Sequence, residues 1–555
     1  MDASTITLDG FSLTPEAVVQ VARFHAPVAL SAETRSRLDT TRQYIEQNWL
    51  TDSAALMYSF NTGVGALKSQ RISADQISDF QSNLICSHSA GTGEKMPPET
   101  VRAMMLLRLN AFSSNHSGVR LAIADRLVDM LNFGITPVIS SKGSVGASGD
   151  LAPLALMSGA LMGLPQSSVE FQGEIMPAAC AFERAGLAPT MDVQAKDASA
   201  LINGATASLA YAILAAYDAR ALLTDATISL GMTLEALRAE LACFDDRAML
   251  ARPHKGQRRV AAAIRKIVAG SGRCTEDARQ IQLSPWPASP GSTPGQRYSP
   301  PIPPRIQDVY SLRCAPQVYG PVLDALDYID TTLAVEMNSA TDNPLIFPED
   351  GGGYDVISCG HFHGQYIAQA MDLLALVVTD LSAICDRRSA RLIDPSCNFG
   401  LPANLIASRP GVNTGFSVVQ SMGTGLVLEN MGLCSPASAT SLPAKGNTED
   451  HISNSCFAAR RSRTIVQNAQ AVVAVELLIA AQALDLSARD LAPFPLGQGS
   501  AAALDIIRSK VPATLVDDRW VHDDLETVRA MVAGGNISSA VEARCGSLWT
   551  DKGHN

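Results

Sequence analysis

Residues 206–241 read TASLAYAILAAYDARALLTDATISLGMTLEALRAEL. Apolar side chains recur there at i, i+3 and i+4 spacing with few breakers, which is the signature of a long helix. Residues 318–337, 364–388, 416–433 and 464–488 repeat the pattern, and several of these segments exceed a typical helix length. Long apolar helices in such number predict a bundle whose seam holds any functional site. The first 200 residues are more broken by Gly, Ser and Pro, with strand-like alternation only at Thr136–Ser141. The expected fold is mainly α: a smaller mixed N-terminal lobe over residues 1–200, then a long central helical bundle and C-terminal helical region over 201–555. Residues 285–304 hold eight prolines and predict a loop delivering the chain to Gln307 and Tyr310. No internal repeat is evident.

Composition narrows the function. The 555 residues are 46% hydrophobic and 17% charged, where about 25% charged is usual. So little charge suggests a surface partly buried against other subunits. Aromatic residues make up only 5%, so the core is aliphatic and Ala-rich, which suits close-packed helices. A net charge of −11 disfavours binding to nucleic-acid phosphates. The opening MDASTITLDG lacks the basic and apolar regions of a signal peptide. Asp218 and Asp372 interrupt the most apolar runs, so no membrane span is expected. Eleven scattered cysteines without a C-x-x-C pair read as reduced thiols of a cytoplasmic protein.

Familiar catalytic signatures are absent. There is no G-x-x-x-x-G-K-[ST], no H-E-x-x-H, and no G-x-G-x-x-G after a clear strand. Gly146-Ala147-Ser148-Gly149-Asp150 lacks the final glycine of a nucleophile elbow. His361 and His363 have metal-pair spacing but no nearby third ligand, so no metal is expected. What remains is GSVGASGDLAPLA, residues 143–155. In a tight glycine-rich bend, the Gly149 nitrogen can approach the Ala147 carbonyl. Ring closure and dehydration of Ser148 would then leave an electrophilic methylidene, an electron sink usually supplied by a bound cofactor. As a bare tripeptide Ala-Ser-Gly is common, so its context decides.

That context is an ordered motif set. Tyr58-Ser59-Phe60-Asn61-Thr62-Gly63-Val64-Gly65 and Ser87-His88-Ser89-Ala90-Gly91 precede the segment. Leu201-Ile202-Asn203-Gly204, Gln307-Asp308-Val309-Tyr310-Ser311-Leu312-Arg313, Thr341-Asp342-Asn343-Pro344 and Asn447-Thr448-Glu449-Asp450-His451 follow it. Together they resemble the aromatic amino-acid ammonia-lyase family, which includes histidine, phenylalanine and tyrosine ammonia-lyases and related aminomutases. The resemblance implies an ammonia-lyase/fumarase-like fold, a homotetramer with sites assembled from several subunits, and a 4-methylidene-imidazol-5-one (MIO) formed from Ala147, Ser148 and Gly149. It implies Tyr58 as the base for a β-proton, Arg313 as the fork on the substrate carboxylate, and Tyr310 near the amine. Asn203 and Gln307 would add amide hydrogen bonds around the carboxylate and prosthetic group. Phe362 would shield that group, with Asn343 in support.

Substrate choice rests, by the same resemblance, on His88, Ser417 and Glu449. His88 and Glu449 resemble histidine ammonia-lyase more than the phenylalanine enzymes, and an imidazole needs both a donor and an acceptor in its pocket. Three positions depart from the family pattern. Ser59-Phe60 replaces Gly and a small aliphatic residue, His361 stands for Asn, and Ser417 stands for a larger methionine. A modified histidine, a tyrosine or phenylalanine substrate, and a 2,3-aminomutase outcome therefore stay open, as does a non-catalytic scaffold of the same fold.

Overall fold

The computed structural model describes residues 5–286, 294–297, 305–444 and 449–549. Most of the expected proline loop, and Asn447 and Thr448, lie outside the described residues. The chain forms two compact units, each built from three segments. The first comprises residues 1–215, 329–372 and 436–463; the second comprises 216–328, 373–435 and 464–555. The sequence reading placed a single boundary at residue 200.

The bundle is helical as expected. Its longest members are Thr206–Ala236, Ala315–Met337, Gln365–Ile393 and Ser455–Ala488, of 31, 23, 29 and 34 residues. Thr206–Ala236 is buried along almost its whole length, exposed or half-exposed only around Tyr217–Ala221. A helix that is apolar on every side belongs at the centre of a bundle, and its many alanines allow neighbouring helices close. It ends five residues short of the periodic pattern. Arg238 adopts a left-handed conformation (φ 52°), and the Ala239 N–H donates back to the Leu234 carbonyl at 2.8 Å. This is a left-handed helix terminus of the kind usually given to glycine. Here the Arg238 guanidinium, donating to the Ile281 carbonyl at 2.6 Å, holds it in place.

Strands are few and short, and all lie in the first unit, giving it the mixed character read from the sequence. Ile6–Leu8 pairs in parallel with Val28–Leu30, and Leu345–Pro348 pairs antiparallel with Tyr354–Ile357. The alternation at Thr136–Ser141 resolves into two pieces. Thr136–Pro137 joins the Ser168–Phe171/Glu174–Pro177 hairpin, whereas Ser140–Lys142 pairs with Thr92–Lys95.

Two helices, Gln365–Ile393 and Ser455–Ala488, are long and apolar enough to cross a membrane, with mean hydropathy 1.6 and 1.8 over their best windows. A single charge does not lower such a window enough to exclude it. In Ser455–Ala488, however, 89% of the window is buried within the protein, as expected of a core helix.

Inside the second unit, the buried charge of this helix is fully partnered. Glu476 accepts from Arg388 Nε at 2.5 Å and Nη2 at 2.7 Å, from Ser229 Oγ at 2.8 Å and from Thr233 Oγ1 at 2.8 Å. Arg388 also donates to Tyr319 Oη at 2.6 Å. These groups come from all four long helices, and Arg388, Glu476 and Tyr319 have no exposed surface. Such a pair fixes helix register more than it adds net stability, but losing one partner strands the other charge. Arg388→Met should therefore cost about 3–5 kcal/mol. The double variant Arg388→Met/Glu476→Leu should lose less, as read from urea unfolding midpoints.

Candidate active site

The Ala147-Ser148-Gly149 segment sits in a turn where Gly146, Ser148 and Gly149 all have positive φ (68°, 53° and 77°). Left-handed backbone is costly for serine, so surrounding contacts must impose it. Several do. Ser453 Oγ donates to the Gly146 carbonyl at 2.9 Å, and the Asn454 N–H donates to the Val145 carbonyl at 2.9 Å. On the far side Gly149 bridges to Gly204, and the Asp150 N–H donates to the Gly204 carbonyl at 2.8 Å. A Cβ on Gly149 would lie 2.2 Å from the Gly204 carbonyl carbon, so only glycine permits this crossing. Asp150, fully buried, anchors the turn from below. It accepts from Ser144 Oγ at 2.6 Å, the Ser208 N–H at 2.6 Å and Ser208 Oγ at 3.0 Å. Burial pushes its carboxyl up and these hydrogen bonds oppose the shift.

The turn borders a cavity of about 1250 Å³ within the first unit. Of the residues read from the sequence, Tyr58, His88, Ala147, Ser148, Asn203, Asn343, Phe362 and Glu449 line it. Ser148 Oγ donates to Glu449 Oε1 at 2.7 Å across 301 positions of sequence. Tyr58 is half-buried, and its hydroxyl accepts from the Gly65 N–H at 3.2 Å. Next to it, the unexpected Ser59-Phe60 has a packing explanation. Ser59 takes φ 69°, and the Phe60 ring is wholly buried, edge-on to Trp49 at 5.4 Å and clustered with Ile45 and Ile346. His88 closes the Ile77–His88 helix, with Nδ1 2.9 Å from the Leu84 carbonyl. Ser87 Oγ lies 3.0 Å from the same nitrogen, so the helix end holds the ring in place.

Asn203 is tied to Asn343. Its Nδ2 donates to the Asn343 carbonyl at 3.0 Å, while its Oδ1 is buried without a hydrogen-bond partner. The second Nδ2 hydrogen is not used by that bond. Asn343 Oδ1 in turn accepts from the Cys359 N–H at 2.7 Å and Ser358 Oγ at 3.2 Å, fixing the strand end that leads to Phe362.

Gln307, Tyr310, Arg313 and Ser417 belong to the second unit and are not among the residues lining this cavity. The first three form one group. Arg313 Nε donates to the Asp308 carbonyl at 2.8 Å, Nη2 to Gln307 Oε1 at 3.0 Å, and the guanidinium stacks 4.8 Å over the Tyr310 ring. Tyr310 is 71% exposed, an unusual placement for an aromatic ring without work to do at a surface. Ser417 begins the Ser417–Leu433 helix and is half-buried.

Sequence reasoning passed over Lys68, Cys359 and His451 in the lining, and treated His363 only as half of a metal pair. That pair separates. His361 is exposed, whereas His363 stacks on His451 at 5.9 Å between ring centres and 10° between planes. Among the described residues, no three His, Cys, Asp or Glu side chains are grouped as a metal site requires.

The aromatic amino acid lyase family model matches residues 13–509. The chain belongs to the aromatic amino acid lyase family. Histidine ammonia-lyase 2 of Fusobacterium nucleatum is 41% identical over 507 residues, covering 91% of this chain and 92% of that protein. Among solved structures, tyrosine aminomutase from Streptomyces globisporus aligns with a TM-score of 0.87 at 32% identity, over 98% of this chain and 100% of the other. Histidine ammonia-lyase from Trypanosoma cruzi gives 0.84 at 32% identity, over 100% and 99%. This aromatic amino acid lyase is accordingly an enzyme, an ammonia-lyase that eliminates ammonia from an amino acid.

Two glycines of the lyase separate conformational strain from steric exclusion. A Cβ on Gly204 (φ 139°) would lie 2.4 Å from Arg108 Nη1 and 2.8 Å from the Thr341 carbonyl oxygen. Gly186 (φ 76°) has open space around it. Gly186→Ala should cost about 1 kcal/mol, and Gly204→Ala at least about 3 kcal/mol because strain and overlap add. Paired urea titrations of the two variants check this difference.

Proposed function

We propose that the enzyme converts histidine, or a ring-modified histidine, to the corresponding α,β-unsaturated acid, using an MIO group formed from its own Ala147-Ser148-Gly149. The observation carrying this reading is the gathering of Tyr58, His88, Ser148 and Glu449 around one cavity. The backbone there fits the group. A left-handed Ser148 flanked by the positive-φ Gly146 and Gly149, with Gly149 pressed against Gly204, supports this reading, because ring closure needs a tight bend here. Cyclisation and dehydration release two waters. The group supplies an electrophile that turns the substrate amine into a leaving group.

The chain's own residues do the rest. Tyr58 takes the β-proton, with its oxygen held by the Gly65 N–H. Glu449 offers a carboxylate to a ring that donates from N–H, and His88 stands on the same cavity wall. Asn203, on the cavity wall, adds an amide hydrogen bond around the substrate carboxylate and the prosthetic group. Phe362 and Asn343 shield and support the site.

Carboxylate binding falls to Arg313, with Gln307 and Tyr310, contributed by another copy in a homotetramer. Support for self-association comes from the Ser417–Leu433 helix, where Val418, Leu428 and Met431 are 77%, 70% and 53% exposed. All eleven cysteines are unpaired, which favours a reducing, cytoplasmic setting. An aminomutase outcome is the second reading, favoured by the similarity to tyrosine aminomutase and by the small Ser417. It uses the same groups and retains the product longer.

Intact-mass spectrometry should find the chain lighter than its sequence by two waters, about 36 Da. The full sequence mass would overturn the prosthetic group. A panel of histidine, N-methylated and thione histidines, tyrosine and phenylalanine, followed by absorbance of the conjugated acid, should give turnover with an imidazole substrate. Tyr58→Phe and Glu449→Gln should lower kcat by about 10²–10⁴-fold. Appearance of a β-amino acid instead would select the aminomutase.

A further inference from the structure

Lys196 and Asp342 form an ion pair with no exposed surface on either side chain, Nζ to Oδ2 at 2.7 Å. Neither had a role in the sequence reading. Lys196 is the left-handed residue (φ 69°) at the start of the Asp197–Ile202 helix, whose next residue is Asn203. Asp342 directly precedes Asn343. The pair therefore clamps one end of the 196–203 segment onto the 341–343 turn, and Asn203 Nδ2 on the Asn343 carbonyl closes the other end.

Asp342 uses both oxygens. Oδ2 takes Lys196, and Oδ1 accepts from the Asn343 N–H at 2.6 Å. The carboxylate thus sets the orientation of the residue whose carbonyl determines the Asn203 rotamer. A second cation reinforces the arrangement. Arg108, fully buried, donates through Nη1 to the Asn203 carbonyl at 2.7 Å and interacts electrostatically with Asp342. Burial lowers the Lys196 ammonium, and Asp342 opposes that shift. Two cations and a carboxylate removed from water are a costly way to stabilise a fold, and apolar residues of the same volume often do it better. Their value here lies in where they place Asn203.

We propose that Lys196 and Asp342 are positioning residues that hold the Asn203 amide with Nδ2 on the Asn343 carbonyl, at the wall of the substrate cavity. Flipping that amide would set its oxygen against the Asn343 carbonyl, so only one orientation survives while the Asn343 peptide stays in place. A polar side chain of the cavity wall is then fixed before substrate arrives, which saves reorganisation during the reaction. This assignment rests on the proposed reaction for its catalytic consequence, but its geometric part stands apart from it.

The test is a double-mutant cycle with a structural readout. Asp342→Asn keeps shape and removes the charge; Lys196→Arg keeps the charge and changes the shape, and replaces it in the cycle if Asp342→Asn does not fold. With the wild-type enzyme turning over histidine, Asp342→Asn should reduce kcat/KM about 100-fold, and in an Asn203→Ala background less than 3-fold more. A full multiplicative loss in that background, or a single-variant loss under 3-fold, overturns the proposal. Crystal structures of the variant should show Asn203 Nδ2 displaced from the Asn343 carbonyl; an unchanged Asn203 overturns it whether or not histidine is a substrate. Absence of turnover by wild type with any panel substrate counts against the proposed reaction, and the crystallographic comparison still decides the positioning role.

Discussion

The crossing of Gly149 and Gly204 is the constraint on which the candidate site depends. Two backbones pass so closely that a single added carbon would sit 2.2 Å from the opposite carbonyl carbon. One backbone carries the Ala-Ser-Gly turn. The other has just left Asn203 and, two residues later, enters the Thr206–Ala236 helix. The Ala147-Ser148-Gly149 turn and the start of the Thr206–Ala236 helix are thereby referenced to each other through backbone, which has few ways to relax. Side-chain contacts would tolerate small shifts; this crossing does not.

Much of this was legible in the sequence because it is periodic or local. The five helical segments announced themselves by spacing, and the glycines around Ser148 by their density. The motif order pointed to Tyr58, His88, Asn203, Asn343, Phe362 and Glu449, and all six line one cavity. Phe60 departed from the family pattern, and its reason became visible only in three dimensions, as a ring filling space beside Trp49.

What escaped the sequence was long-range and polar. Lys196 meets Asp342 across 146 positions, and Arg388 meets Glu476 across 88. Nothing in a local pattern distinguishes a lysine destined for burial from one in solvent. The amide orientation of Asn203 was equally hidden, since residue type gives a donor and an acceptor together and only the neighbour decides which is spent. The two apolar helices illustrate the converse: length and hydropathy alone read Ser455–Ala488 as membrane-like, whereas its charge is matched inside the protein.

The turn at Ser148 has a consequence for the lifetime of the protein. A dissociable cofactor can be exchanged when it is spoiled, and its supply can limit an enzyme. An electrophile drawn from residues 147–149, as proposed, has neither property. It is issued once per chain, needs no vitamin or transport system, and cannot be renewed by anything short of making the polypeptide again. Glu449, 2.7 Å from Ser148 Oγ before dehydration, then stands beside the least replaceable group in the molecule, and degradation of the chain becomes the only repair.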